Sequence, residues 1–308
     1  MSFQIALTNV LITLLYALPG FLLCKCKKAV AEHLSTLSAV LIYVCSPCMV
    51  INAFLGMDFS WEGFGKMALF FGVTLLLQIA FMLFLFLLLR KRYADSKFRI
   101  LTIGSVLGNV GFFGLPIVKA ILPDFPEVAC YSSVYVVSMN MLVFTVGVFC
   151  LTNEKKFINV KAALLNPATL SLVVALPLYF FGVGKYLPAA LSHAVALVGD
   201  MTTPLCMVIL GIRLATVPFK NLFTRPMIYL TCACKLLVFP LFCYLCVYFL
   251  PLDFAFKASI LVLSSVPCAS VILNMAEIHR AETELAANCV LLSTLVCFLT
   301  IPLLVLLL

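Results

Sequence analysis

The stretch Gly104-Ser-Val-Leu-Gly-Asn-Val-Gly-Phe-Phe-Gly-Leu-Pro116 sets Gly104, Gly108, Gly111, Gly114, Pro116 and the polar Asn109 inside a long apolar run. A helix facing lipid gains nothing from these residues. Glycine weakens a helix, and proline removes a backbone donor and clashes with the preceding turn. In hydrocarbon, broken backbone persists only where protein or a water-filled cavity satisfies it. The chemistry this suggests is recognition of an anion by backbone. A half-helix that starts at a break offers unpaired N–H groups and a partial positive charge, so an anion can bind without any lysine. Asn109 would add an amide donor, while Gly108 and Gly111 bring the chain close to the ligand. Gly114 and Pro116 are expected to make the break, with the second half-helix starting near Gly114. A second segment, Ser264-Ser-Val-Pro-Cys-Ala-Ser270, offers Pro267 as a breaker and Pro267, Cys268 and Ser270 as the opposing wall.

Three more polar residues lie deep in apolar runs. Asn140 either reads a carboxylate oxygen or makes an interhelical hydrogen bond worth under about 1 kcal/mol. Lys235 is about nine residues into its run, about 13 Å deep at about 1.5 Å per residue. A charge there costs about 2.5–3.5 kcal/mol on insertion scales, and function is the default hypothesis for it. It is read as a fixed cation that attracts anions, against a structural lysine bonded to carbonyls freed by Pro240. Asp200 is placed to accept a proton or line an outer vestibule, against a polar residue at a helix start. Asn52, Asn274 and Gln78 are read as structural or gate-lining. His33, His193 and His279 fall in or beside loops and are read as solvated.

The elements that must position these groups follow from composition. Of 308 residues, 65% are hydrophobic and 10% charged, and the mean hydropathy is +1.21. Soluble domains are about 25% charged. Repeated apolar runs of about 20 residues indicate a polytopic helical membrane protein, and the alternation of a transmembrane barrel is absent. The net charge of +8 does not point to nucleic acid, because the basic residues gather in every second loop. The fourteen cysteines are scattered and show no zinc-like grouping with histidine, so no metal and no cofactor are expected. The opening Met-Ser-Phe-Gln has no basic region, so residues 3–24 are expected to be a retained span.

Ten spans are expected: 3–24, 34–56, 66–89, 99–122, 128–151, 162–182, 192–214, 226–250, 255–277 and 285–307. Basic residues follow the odd spans: Lys25, Lys27 and Lys28; Arg90, Lys91, Arg92, Lys97 and Arg99; Lys155, Lys156 and Lys161; Arg213, Lys220 and Arg225; Arg280. Arg213 is read chiefly as an anchor at that interface. The even loops carry Asp58, Glu62, Asp124, Glu127 and Asp253. The positive-inside rule then puts the basic loops in the cytoplasm, and both termini outside the cytoplasmic membrane.

An internal repeat runs through the chain. Ala17-Leu-Pro19 recurs as Ala175-Leu-Pro177, Cys48-Met-Val-Ile51 as Cys206-Met-Val-Ile209, and Phe98-Arg99 aligns with Phe256-Lys257, all at an offset of 158 residues. Residues 1–151 form the first half, 152–161 a cytoplasmic linker and 162–308 the second half. Each half holds five spans, an odd number, so the second must enter the membrane inverted. Inverted repeats are characteristic of secondary transporters, with the site near the midplane at paired broken helices. At the common offset, Asn109 falls on Pro267.

Gly108-Asn-Val-Gly-Phe-Phe-Gly-Leu-Pro116 and Asp200-Met-Thr-Thr-Pro-Leu-Cys-Met-Val-Ile-Leu-Gly-Ile-Arg-Leu-Ala215 resemble the bacterial, malate permease-like branch of the auxin efflux carrier family. Asn166-Pro167 and Pro267 also fit, and the resemblance covers nearly the whole chain. It implies two inverted five-helix repeats with broken fourth and ninth helices, the fold of sodium/proton antiporters and bile acid symporters. It implies a scaffold of spans one, two, six and seven beside a transport domain of the other six, which is thought to move as an elevator. The implied cargo is a small organic anion, a mono- or dicarboxylate such as malate, with auxin-like aromatic carboxylate export or sodium-coupled symport as alternatives. H+ or Na+ is the coupling ion if there is one, and the alternative to anion attraction for Lys235 is that it stands where relatives bind sodium. A homodimer through the scaffold is a further implication. Against this carrier stand a glycine-lined channel, and an enzyme or sensor for which no catalytic motif and no output domain are found.

Overall fold

The computed structural model describes residues 2–216, 223 and 225–308; the basic Lys220 lies outside them. Every regular element among the described residues is helical. Seven helices are long and apolar enough to cross a membrane: α1 (Phe3–Lys25), α2 (His33–Leu55), α3 (Trp61–Arg92), α6 (Val128–Thr152), α8 (Ala189–Thr216), α9 (Pro226–Tyr248) and α12 (Thr283–Val305). Shorter apolar helices fill the intervals: α4 (Ser96–Gly104), α5 (Val110–Ile121), α7 (Pro167–Phe180), α10 (Phe254–Ser264) and α11 (Ser270–Ile278). Expected span four is therefore two helices, α4 and α5, and expected span nine is α10 and α11. Expected span six shortens to α7, because Asn166 caps it, its side chain accepting from Thr169 N at 3.0 Å, and Pro167 takes the first turn.

The same capping logic starts both broken helices. The Asp95 side chain accepts from Lys97 N at 3.1 Å at the head of α4, and the Asp253 side chain accepts from Phe256 N at 2.8 Å at the head of α10. These caps are 158 residues apart, the separation of the sequence matches.

Contacts between loops show which loops share an end. Lys25 Nζ donates to Ala215 O at 3.3 Å, Arg99 donates to Leu151 O and Thr152 O at 3.2 Å each, and Arg225 pairs with Glu282 at 3.0 Å and Glu284 at 3.2 Å. These join the basic loops at one end. At the other end Lys66 pairs with Asp253 at 3.2 Å and Lys185 with Asp58 at 3.1 Å. Exposed pairs of this kind contribute only about 0–1 kcal/mol; their value here is topological. Trp61, Phe181, Tyr186 and Phe249 stand exposed at this second end, as aromatic side chains do at a membrane–water interface. The side of the membrane is open to test. With exposed Cys26 and Cys246 replaced by serine, Asp124→Cys is expected to label from outside with an impermeant thiol reagent and Lys155→Cys is not. The reverse pattern would invert the protein.

The helix pairs can be followed as two sets, or bodies, that also pack closely on each other. One is built from α1 against α8, with α2 against α7 and α8. In the other, α3 packs on α6, α9 on α10, and α12 on α9 and α11. The two meet along α1, which lies on α12 and α5, and where α2 and α7 lie on α6. Inside a bilayer there is little hydrophobic drive for such pairing, so close van der Waals fit carries it. The tightest fit is at the α1–α8 crossing. A Cβ added at Gly20 would sit 2.0 Å from Val208 O, and one at Gly211 would sit 1.9 Å from Ala17 O. Only glycine permits that backbone approach.

Candidate functional site

The breaks lie at residues 105–109, between α4 and α5, and at 265–269, between α10 and α11. This corrects the expected break. Gly114 and Pro116 lie downstream of it, inside α5, whose first turn is wound wide so that Gly114 N donates to Asn109 O at 3.1 Å. Pro116 then follows that wide turn at the start of regular α-helix, and the Phe112 carbonyl one turn before it, which a proline cannot serve, accepts from Thr203 Oγ1 instead.

The two breaks cross as a short antiparallel pair centred on Gly108 and Cys268. Asn109 N donates to Pro267 O at 2.8 Å, and Ala269 N donates to Leu107 O at 3.0 Å. Four helix ends therefore meet: the C-termini of α4 and α10, and the N-termini of α5 and α11. The first pair presents carbonyls and partial negative charge, the second N–H groups and partial positive charge.

Lys235 serves one of the negative ends. It is fully buried on α9, its Nζ donates to Ser264 O at 2.7 Å, and it lies 4.9 Å from the Phe239 ring centroid. Its acceptor belongs to the last residue of α10, so the expected carbonyls freed by Pro240 are not the ones it uses. No carboxylate pairs with it among the described residues. The Cys268 thiol serves the other negative end, donating to Gly104 O at 3.3 Å. Gly108 makes room for the lysine: a Cβ there would sit 2.9 Å from Lys235 Nζ and 2.8 Å from Val266 Cγ2.

The residues singled out from the sequence thus separate. Gly108, Pro267 and Cys268 build the crossing, and Gly111 packs on Val136 and Met49. Cys268 N is further tied to Ser293 Oγ at 3.0 Å, so its polar atoms are engaged by protein. Asn109 is half-buried and faces the other body, its amide donating to Cys206 Sγ at 3.7 Å. Asn140 is half-buried on α6 with no side-chain hydrogen bond among the described residues. Ser270 opens α11 and lines a cavity of about 620 Å³ at the basic-loop end, together with Arg213 and Asn288. Asp200 is exposed and unpaired among the described residues, one turn before Thr203.

Other polar contacts went unread. Thr203 Oγ1 donates to Phe112 O at 2.8 Å, linking α8 to the first turn of α5. Ser138 accepts from Gln78 Nε2 at 3.1 Å and lies 3.2 Å from Thr74 Oγ1, a fully buried network between α3 and α6. Single serines and threonines in apolar runs carry no spacing signal; only Gln78 stood out.

A family model described as membrane transport protein matches residues 5–162 and 155–305, together nearly the whole chain. No curated protein matches the chain.

Proposed function

The chain belongs to the membrane transport protein family, that of the auxin efflux carriers, and from that premise we propose that it is a secondary carrier of small organic anions, mono- or dicarboxylates such as malate, in the cytoplasmic membrane. It is an integral, multi-pass membrane protein of a family of transporters, not enzymes. The observation that carries the reading is the antiparallel crossing itself. It brings the N-termini of α5 and α11 and the buried Lys235 to one place. An anion there meets donors and positive potential in a low-dielectric setting, where each is worth more than in water.

The ten spans, as halves 1–151 and 162–308 joined by 152–161, are part of the same proposal, and the caps at Asp95 and Asp253 support it. So is movement of the second body against a scaffold of α1, α2, α7 and α8. The α1–α8 crossing is locked backbone to backbone at Gly20 and Gly211, whereas α8 holds the crossover by side-chain hydrogen bonds from Thr203 and to Cys206. Those bonds can exchange for others as the bodies slide.

The test is flux in proteoliposomes across a panel of mono- and dicarboxylates, with pH and sodium varied independently. Saturation and counterflow are expected; unitary conductance steps would make the protein a channel. In the same assay Asn109→Ala is expected to reduce transport at least about tenfold, the equivalent of 1.4 kcal/mol, with expression intact. Its only side-chain tie among the described residues is a long contact to sulfur, so folding has little to lose. Normal transport by this variant would take Asn109 out of the site.

A further inference from the structure

The two sides of the crossing are packed unequally. α5 leads from the crossing to the loop of Asp124, and α11 leads from it to the loop of Arg280. On the first side α5 packs on α1 and α8, and α2 packs on α6. At the common offset of 158 residues these pairs correspond to α11 on α7 and α2, and to α12 on α8. None of those three is among the packed helix pairs of the described residues. In their place lies the cavity of about 620 Å³, with Leu34 of α2 and Arg213 and Thr216 of α8 on one wall and α11 and α12 on the other.

We propose that this cavity is a vestibule in its open state, and that it closes when α11 and α12 seat on α2 and α8, with Arg213 latching onto Glu277 across it. The inference rests on the carrier reading and adds to it the side that is open and the contacts that close it.

Two hydrogen bonds across the closed side have repeat mates that keep a donor in the same place. Thr203 Oγ1 donates to Phe112 O at 2.8 Å; its mates are the Cys45 thiol and the Ser270 carbonyl. Cys130 Sγ donates to Ala53 O at 3.4 Å; its mates are the Asn288 amide and the Gly211 carbonyl. Ser270 and Asn288 both line the cavity. Cys45 ends a wide turn of α2, Leu41–Cys45, at the repeat position where α8 is interrupted at Met201. The Asn109 contact with Cys206 has no counterpart, because the mate of Asn109 is Pro267. In an inverted repeat, the contacts that close one side supply the pattern for closing the other.

The charges on the two walls agree with closure. Arg213 is half-buried, and its Nε is buried with no acceptor among the described residues. A buried donor left so costs about 1–3 kcal/mol. Two acids line the other wall. Glu284 is held by Arg225 at 3.2 Å, whereas Glu277, in the last turn of α11, is exposed and in no ion pair among the described residues. One free cation on the first body and one free carboxylate on the second attract across the gap. A guanidinium fork takes a carboxylate in two parallel bonds, and closure would strengthen the pair by removing water from it.

The test uses the full-length protein in proteoliposomes, with malate as the probe, or whichever acid of the carboxylate panel the wild type carries. Arg213→Glu and Glu277→Arg each set like charges across the cavity and are expected to slow flux about tenfold or more, since like charges brought together cost several kcal/mol. The double exchange restores the attraction and should recover most of the wild-type flux. A double variant as slow as the slower single, or singles as fast as wild type, would overturn the latch. Independently, Ser270→Cys is expected to form a disulfide with native Cys45 under copper–phenanthroline oxidation, mapped by peptide mass spectrometry, because a disulfide needs Cα atoms within about 7 Å. Absence of that bond in assembled protein would overturn the closure of α11 on α2, and the charge exchange decides if this variant fails to assemble. Wild-type protein that carries no acid of the panel would overturn the carrier reading itself; the disulfide forms and is read without flux, so it still decides the closure.

Discussion

Gly211→Ala is expected to destabilise the detergent-solubilised protein by about 3 kcal/mol or more, at the upper end of the usual overpacking range, seen as a lower melting temperature and a smaller monodisperse fraction. The added Cβ would stand 1.9 Å from Ala17 O and 2.8 Å from Phe21 N. Both obstacles are backbone atoms in the middle of α1, so no rotamer change relieves the clash. The helices must separate, and every contact along the crossing weakens, including the approach at Gly20 on the other side of it, 2.0 Å from Val208 O. Gly65→Ala is the control. It is also helical, on α3, but nothing lies within 4 Å of the added atom. Alanine is the better helix former by about 0.8–1 kcal/mol, so this variant should be neutral or stabilised. Equal behaviour of the two variants would mean that the α1–α8 crossing is not a rigid element.

That pair of glycines also marks what the sequence made legible. Composition, apolar run length and the alternation of charge in the loops point directly to a helical membrane protein. Each is a bulk property imposed by the bilayer on every residue of a span. The broken helices were legible because glycine, proline and asparagine are costly in lipid and need a reason. The place of the break was not: proline draws the eye to Pro116, yet a wide first turn in α5 accommodates it, and the chain opens at residues 105–109 instead. Gly20 and Gly211 carried no signal on their own, since a glycine in a membrane helix does not say which neighbour it admits. The same holds for Arg213. By its position near the end of a span it looks like an interface anchor, and only the tertiary fold sets it across from Ser270 in a cavity. Lys235 was conspicuous by depth alone, while its partner, a carbonyl at the end of α10, belongs to a helix twenty-nine residues further along.

Lys235→Met should give a protein that assembles but transports anions at least about tenfold more slowly, a difference of 1.4 kcal/mol or more. The stability side has two opposing parts. Removing the ammonium leaves Ser264 O without its donor, at a cost of about 1–3 kcal/mol. It also removes a charge whose placement at mid-helix costs about 2.5–3.5 kcal/mol, and methionine fills nearly the same volume. The second part is the larger by about 1 kcal/mol, so assembly should survive. The functional side has no such offset. Lys235 is fully buried beside the crossing, and its charge adds to the N-termini of α5 and α11 while quieting the negative end of α10. Without it, the potential offered to an anion falls. The half-saturation concentration should rise, and the ion dependence of transport should change if this lysine occupies the place of a coupling cation. Gly108→Ala gives an independent approach to the same contact, because its Cβ would press on Nζ at 2.9 Å. If both variants act by displacing the ammonium, their effects on transport will not add, as neighbours that share one interaction do not. The double variant should then transport about as poorly as Lys235→Met alone. Additive losses would assign the glycine's effect to Val266, also 2.8 Å away, and unchanged half-saturation and charge movement in Lys235→Met would leave the lysine a structural cap on α10.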